Sequence, residues 1–137
     1  MISAKELQLG DWVLYHSKPA RVRNIHDNVL IDGDDELVDL VFPDRTTMPQ
    51  VDPIHLDPIP LTTEILEKNF QEFLPGINLM YQLKGPYCLM DEDRQWVFGL
   101  LKVDGENSAG YPLVKISFVH QLQNALQLCG IEHEITL

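Results

Sequence analysis

The sequence predicts a β-rich α+β protein: a small β-barrel in residues 1–60, then an antiparallel sheet flanked by two helices in residues 61–137. Three observations predict this fold class. Short apolar runs alternate with turn-forming residues over the first 42 positions. Five of the nine prolines fall within residues 43–60, which is typical of a connector. The remaining chain has a helical pattern at each end and strand patterns between them.

The barrel is predicted from short strands joined by turns. They are expected at 12–15, 20–25, 29–31 and 37–42, with a short last strand at 54–56 inside the proline-rich connector. Asp32-Gly33 predicts a hairpin, because both residue types tolerate positive φ. The pattern Leu7-x-Leu9-Gly10-Asp11-Trp12-Val13 before the first hairpin resembles the opening of SH3-like barrels.

The second part is predicted to begin with a helix over 62–74. Thr62 favours a helix cap, and Leu66, Phe70 and Phe73 share one apolar face that should be buried. Strands are expected at 79–83, 87–90, 96–103 and 113–118.

Residues 104–112 are predicted to form a loop, because glycine and polar residues dominate them. A second helix is expected over 119–129, ended by Gly130 as a left-handed cap. A short strand over 131–137 would follow it.

The charge of the chain excludes several classes of partner. Ten basic and 21 acidic residues give a formal net charge of −11. A protein that binds nucleic acid directly needs a basic stripe, and docking on anionic lipid needs basic residues too, so neither is expected. No apolar run approaches the ~20 residues of a membrane span, and the first residues do not resemble a signal peptide.

No cofactor, metal ion or catalytic residue is predicted. Cys88 and Cys129 form no CxxC pair and lie among apolar neighbours, as expected for buried thiols in the cytoplasm. The five histidines have no metal-ligand spacing, and the acidic runs at 32–36 and 91–93 fit solvated hairpin tips better than an EF-hand. Motifs for phosphate loops and nucleophile elbows are missing from the sequence, which disfavours an enzyme.

The last helix carries an uncharged polar face, the amide row, made of His120, Gln123, Asn124 and Gln127. These residues lie at i, i+3, i+4 and i+7 and should point outward. A polar face without charges suits contact with a protein partner or a second copy, because no charge need be desolvated. Two alternatives remain open: a solvated face, or hydrogen bonds from His120 and Asn124 back to loops.

An aromatic site on the barrel is a second candidate. Trp12, Tyr15 and Phe42 could together hold a cation or a peptide. Burial of Trp12 and Phe42 in the core is the alternative.

Three segments carry a family resemblance. They are Glu6-Leu7-Gln8-Leu9-Gly10-Asp11-Trp12-Val13, Pro58-Ile59-Pro60-Leu61-Thr62 running into Glu64-Ile65-Leu66, and Val119-His120-Gln121-Leu122-Gln123-Asn124. Together they resemble a family of small bacterial proteins also found in phages and mobile elements. Some members continue the third segment with a Leu-Tyr-Phe run, whereas this chain continues with Ala125-Leu126-Gln127. The resemblance implies the two-part architecture and no particular activity.

The sequence therefore favours a cytoplasmic, non-enzymatic protein-interaction module, and the resemblance implies an association with phages or mobile elements. The alternative is an acidic mimic of nucleic acid that occupies the basic groove of an enzyme. The two differ in salt dependence, because a mimic's affinity should fall steeply with added salt.

Overall fold

The computed structural model describes residues 2, 6–27, 36–73, 80–83, 86–92, 95–104 and 107–137, and for 27, 71–73, 80, 82, 101–104 and 107–111 it describes the backbone alone. The chain divides into two compact units. The first contains residues 1–59 and 118–124, and the second contains 60–117 and 125–137. The expected division after residue 60 differs from this in two respects: Pro60 belongs with the second unit, and residues 118–124 belong with the first.

The first unit contains a five-stranded antiparallel sheet. Its strands are β1 (Trp12–Tyr15), β2 (Lys18–Asp27), β3 (Glu36–Val41), β4 (Thr47–Val51) and β5 (Leu56–Asp57). They pair antiparallel in the order β4-β3-β2-β1-β5, and a 3-10 turn, Pro53–His55, joins β4 to β5. This β-rich arrangement confirms the predicted fold class.

Alternation along the strands builds the core of this unit. Val13 and Ala20 face each other across β1 and β2, and both are fully buried. Val22 and Leu40 repeat this pairing across β2 and β3. Because successive side chains in a strand point to opposite faces, these positions collect on one side of the sheet.

The proline-rich stretch contains more strand than the sequence indicates. β4 runs through Pro49, where a connector was expected. The strand tolerates this proline because β4 ends the sheet order and pairs with β3, so one side of it needs no ladder donors. The strand expected at 29–31 and the Asp32-Gly33 hairpin lie outside the described residues.

The second unit contains a five-stranded antiparallel sheet and helical segments. Its elements are α1 (Thr63–Asn69), β6 (Gln71–Phe73), β7 (Met80–Gln82), β8 (Tyr87–Glu92), β9 (Gln95–Asp104), β10 (Asn107–Ile116) and the end of α2 (Val119–Leu128). The strands pair in chain order, β10-β9-β8-β7-β6.

Helix α1 is shorter than predicted. The Thr62 hydroxyl accepts a hydrogen bond from the backbone N–H of Ile65, as expected for the cap. The helix ends at Asn69, however, because Phe70 adopts an extended backbone and residues 71–73 join the sheet. Phe70 is half-buried and stacks on His133 at 4.7 Å. The burial expected for Phe73 stays a prediction, because the structure describes only the backbone of that residue.

Two further expectations for this unit are wrong. Most of the predicted loop at 104–112 is strand, because β9 and β10 form one long hairpin in which Asp104 pairs with Asn107. Residues 131–137 contain no strand, although Ile131 and Ile135 are buried.

The end of α2 agrees with the sequence. Gly130 has φ of +70°, and its N–H donates to the carbonyl of Gln127, while the N–H of Ile131 donates to Leu126. These two bonds are those of a Schellman cap, for which glycine is favoured. Neither helix in the described part of the chain has the length and hydropathy to cross a membrane.

Candidate functional site

A groove in the first unit is the best candidate site. It has a volume of about 480 Å³ and is lined by Tyr15, His16, Lys18, Pro19, Phe42, Pro43, Asp44, Thr46 and Met48. The β1–β2 turn supplies one wall and the β3–β4 turn supplies the other. We call this the aromatic groove. Its volume lies within the ~300–1,000 Å³ of typical ligand sites.

The first wall is a tight hairpin turn with an unusual sequence. Tyr15 pairs with Lys18, so the turn consists of His16 and Ser17, with φ of 48° and 64°. Both central residues of a type I′ turn need positive φ, which asparagine and glycine adopt most readily. A histidine and a serine adopt it at a cost of roughly 1–2 kcal/mol per residue.

The second wall is a five-residue turn from Phe42 to Thr46. The N–H of Phe42 donates to the carbonyl of Thr46, and the N–H of Arg45 donates to Phe42. Arg45 also has positive φ, 71°. Asp44 accepts hydrogen bonds from the backbone N–H and hydroxyl of Thr46, and these hold the pKa of Asp44 below its ordinary value. The groove thus contains an oriented, ionised carboxylate.

Aromatic rings form a row along the groove. The rings of Tyr15 and Phe42 lie 6.4 Å apart at 57°, and His16 contacts Tyr15 edge-on at 4.2 Å. His55 continues the row, 6.4 Å from His16. Tyr15 and Phe42 are half-buried and pack against the hydrophobic core of the first unit, so the core fixes their positions. Of the three aromatic residues that the sequence suggested for a shared site, Tyr15 and Phe42 line this groove.

Trp12 does not belong to this site. It lies three positions before Tyr15 on β1 and so points to the opposite face of the strand. Its side chain is buried, and the Arg21 guanidinium lies 4.4 Å from the ring centroid. The predicted grouping of all three aromatic residues is wrong for this reason.

Two residues of the amide row, Gln123 and Asn124, form hydrogen bonds inside the first unit. The Gln123 side chain accepts a bond of 2.8 Å from the N–H of Trp12 and donates one of 3.0 Å to the carbonyl of Gly10. Asn124 donates to the carbonyl of Glu6 at 2.8 Å. The alternative of hydrogen bonds back to loops therefore describes Asn124, and Gln123 makes such bonds as well.

His120 and Gln127 take different positions. His120 is 1% exposed, so its expected outward orientation is wrong. Burial lowers its pKa, and its Nε2 lies 3.6 Å from a carboxylate oxygen of Glu6. Gln127 is exposed as expected. A role of these four residues in binding a partner stays a prediction.

Two carboxylates with altered pKa were not singled out from the sequence. Asp11 is 2% exposed, and burial raises its pKa to about 7, although the N–H of Gln8 donates to it at 3.0 Å. Asp39 accepts from the N–H of Gln50 at 2.9 Å and contacts His26 at 2.8 Å, which hold its pKa at about 2. An aspartate directly after Gly10 or inside a strand carries no sequence signal of burial or bonding.

Comparison of the chain with protein-family models, curated proteins and solved structures gave no match. The resemblance to the bacterial and phage family stays a prediction. Within the described ranges, no three histidine, cysteine, aspartate or glutamate side chains are grouped so as to hold a metal ion.

Proposed function

We propose that the protein is a non-enzymatic interaction module whose first unit binds a short segment of a protein partner in the aromatic groove. The observation that carries this proposal is the row of Tyr15 and Phe42 between two exposed turns. Aromatic side chains with one face packed and the other open provide large contact areas at low entropic cost, as in many peptide-binding surfaces.

Backbone strain at the groove supports this function. His16, Ser17 and Arg45 all have positive φ although none is glycine, and they lie in the two turns that form the walls. Strained residues persist where the surrounding structure enforces them, and they concentrate at binding sites. A groove fixed in this way is preorganised, which lowers the entropic cost of binding.

The lining of the groove favours binding over catalysis. Its one carboxylate, Asp44, is ionised and held by Thr46, so it is a weak proton acceptor and suits recognition of a donor. The cellular setting that we propose is the cytoplasm, since Cys88 and Cys129 are free thiols.

The experiment is selection of a random dodecapeptide library on the full-length protein. Binding of the enriched peptides is then measured on wild type and on Tyr15→Ala and Phe42→Ala variants. Each variant should weaken binding at least tenfold, because it removes one of the two aromatic rings that the peptide would contact. Leu113→Ala is the control, since Leu113 is exposed in β10, in the second unit.

Two results would contradict the proposal: no enriched peptide, or peptides that bind all variants equally well. The nucleic-acid mimic is tested with the same protein. Inhibition of a nuclease that disappears between ~50 and ~200 mM salt, without dependence on Tyr15, would favour the mimic instead.

A further inference from the structure

We infer that the group recognised in the aromatic groove is a guanidinium, the side chain of an arginine in a basic segment of the partner. This inference rests on the proposed function and adds the chemistry of the ligand. It follows from the rings, the carboxylate, the net charge of the whole chain and one interaction that the unit already contains.

The two rings provide faces for a planar cation. Tyr15 and Phe42 lie 6.4 Å apart and are inclined at 57°, so they form an open corner. A cation within about 6 Å of a ring centroid is attracted by the negative face of the ring. A guanidinium fits such a corner better than an ammonium, because it is flat, stacks on rings and is more weakly hydrated.

The Asp44 carboxylate provides an oriented acceptor for the N–H donors of a guanidinium. Asp44 lines the same groove, and both of its bonds from Thr46 end on the oxygen Oδ1. These bonds fix the orientation of the carboxylate. A guanidinium with five N–H donors pairs with a carboxylate in a way that a point charge does not.

Two basic groups near the groove oppose a cation: Lys18 in its lining and Arg45 in the turn that forms its second wall. Lys18 lines the groove and its charge reaches Asp44. The whole chain, however, carries a net charge of −11, so a basic segment is attracted over a longer range than Lys18 controls. His16 also lines the groove, and His55 lies beside it. Lys18 should weaken the binding of arginine and thereby provides a test.

The unit already contains an interaction of this kind. The Arg21 guanidinium lies 4.4 Å from the centroid of the Trp12 ring, and these residues pair across β1 and β2. Tyr15 and Lys18 pair across the same two strands. The same hairpin therefore presents one aromatic residue covered by its own arginine and, at its turn, one that lines an open groove.

The test uses five pentapeptides, acetyl-Gly-Ala-X-Ala-Gly-amide, with arginine, lysine, citrulline, leucine or glutamate at X. Binding to the full-length protein is measured from the NMR shifts of the Tyr15 and Phe42 ring protons. The arginine peptide should bind about tenfold more tightly than the citrulline peptide, which keeps the shape and lacks the charge. The lysine peptide should bind with intermediate affinity.

Two substitutions test the carboxylate and the lysine. Asp44→Asn keeps an oxygen for the Thr46 bonds and should reduce arginine binding about tenfold without changing citrulline binding. Lys18→Gln should increase arginine binding a few-fold. Asp52→Asn is the matched control, because Asp52 is also exposed and accepts a bond of 3.0 Å from a backbone N–H two residues on, that of Ile54.

The outcomes separate the two proposals. If the citrulline or leucine peptide shifts the same rings with equal affinity, the groove binds peptides and the guanidinium inference is wrong. If Asp44→Asn and Asp52→Asn reduce arginine binding equally, the attraction is that of the net charge alone, and the inference is again wrong. If neither these peptides nor any library peptide shifts the Tyr15 and Phe42 rings, the proposed function fails as well.

Discussion

The buried carboxylic acid of Asp11 makes the stability of the first unit sensitive to pH. Its side chain is 2% exposed, and burial raises its pKa from 3.8 to about 7. Between these two values the folded protein holds a proton that the unfolded chain has released. Folding stability therefore decreases as pH rises from about 4 to about 7, and it changes little from this source above that range.

We predict that Asp11→Asn removes this dependence. Asparagine keeps an oxygen for the N–H of Gln8 and never ionises. The variant should match wild type near pH 4 and be more stable at pH 8, by up to about 4 kcal/mol for a shift of about three pKa units. His120, whose pKa is lowered by burial, changes stability in the opposite direction below pH 6.5, so the comparison is between variants at each pH. Urea unfolding from pH 4 to pH 8 measures the difference, and parallel curves would contradict the prediction.

At this scale the sequence allowed a partial prediction of the site. Tyr15 and Phe42 could be named from the sequence because the predicted strands of the first unit contain few aromatic residues. Strand parity excludes Trp12 from a site shared with Tyr15, and the sequence already contains that information once β1 is assigned. The bonds of Asp44 and the burial of Asp11 arise from turns whose geometry residue types alone do not determine.

Helix α2 is held in the first unit by side chains that form hydrogen bonds to backbone groups distant in sequence. Helix α2 contributes Gln123, which bonds Trp12 and Gly10, more than 100 residues away in sequence. A helical pattern predicts which residues share a face of a helix, but it does not say what that face contacts. The outward orientation expected for the amide row fits Gln127, which is exposed. It is wrong for His120, which is buried, and Gln123 and Asn124 bond back to the first unit.

We predict that Gln123→Ala destabilises the protein by about 1–3 kcal/mol. The substitution leaves the N–H of Trp12 without its 2.8 Å partner in a partly buried position. Gln127→Ala is the matched control on the same helix, because Gln127 is exposed, and it should stay within about 0.5 kcal/mol of wild type. Thermal unfolding compares the two. Equal losses would show that the bonds of Gln123 contribute no more than helix propensity.

In the β1–β2 turn, by contrast, we predict a substitution that increases stability. Ser17 has φ of 64°, a conformation that glycine adopts without strain. Ser17→Gly should therefore stabilise the protein by up to about 1 kcal/mol, after the entropic cost of glycine is subtracted. Chemical denaturation measures the gain. A loss of stability would mean that the serine side chain contributes more than the strain costs.

For the whole molecule, the sequence predicted the fold class better than the boundaries. Alternating apolar residues and turn signals sufficed to predict a first unit of short antiparallel strands followed by an α+β unit. They missed β4 because Pro49 is tolerated at a sheet edge, and they missed half of the β9–β10 hairpin because its residues have low strand propensity. They also missed that residues 118–124 belong to the first unit, since that depends on contacts distant in sequence.

We predict that a fragment of residues 1–60 does not fold stably alone. It lacks Val119, whose N–H donates to Ile59 at 2.8 Å, and Gln123, which bonds Gly10 and Trp12. A peptide of residues 117–130 added to the fragment should restore a dispersed NMR spectrum, and the same peptide with Gln123→Ala should do so poorly. A fragment with a dispersed spectrum by itself would contradict this prediction.

The divided first unit has a consequence for synthesis on the ribosome. Its strands are translated first, but its last part, residues 118–124, follows all 58 residues of the segment 60–117. At about 5–20 residues per second, this leaves the strands without the start of α2 for roughly 3–12 s. During that interval the N–H of Trp12 has no Gln123 to bond. A chain that terminates before residue 118 would never gain these bonds, so its first unit should be less stable than that of the finished protein.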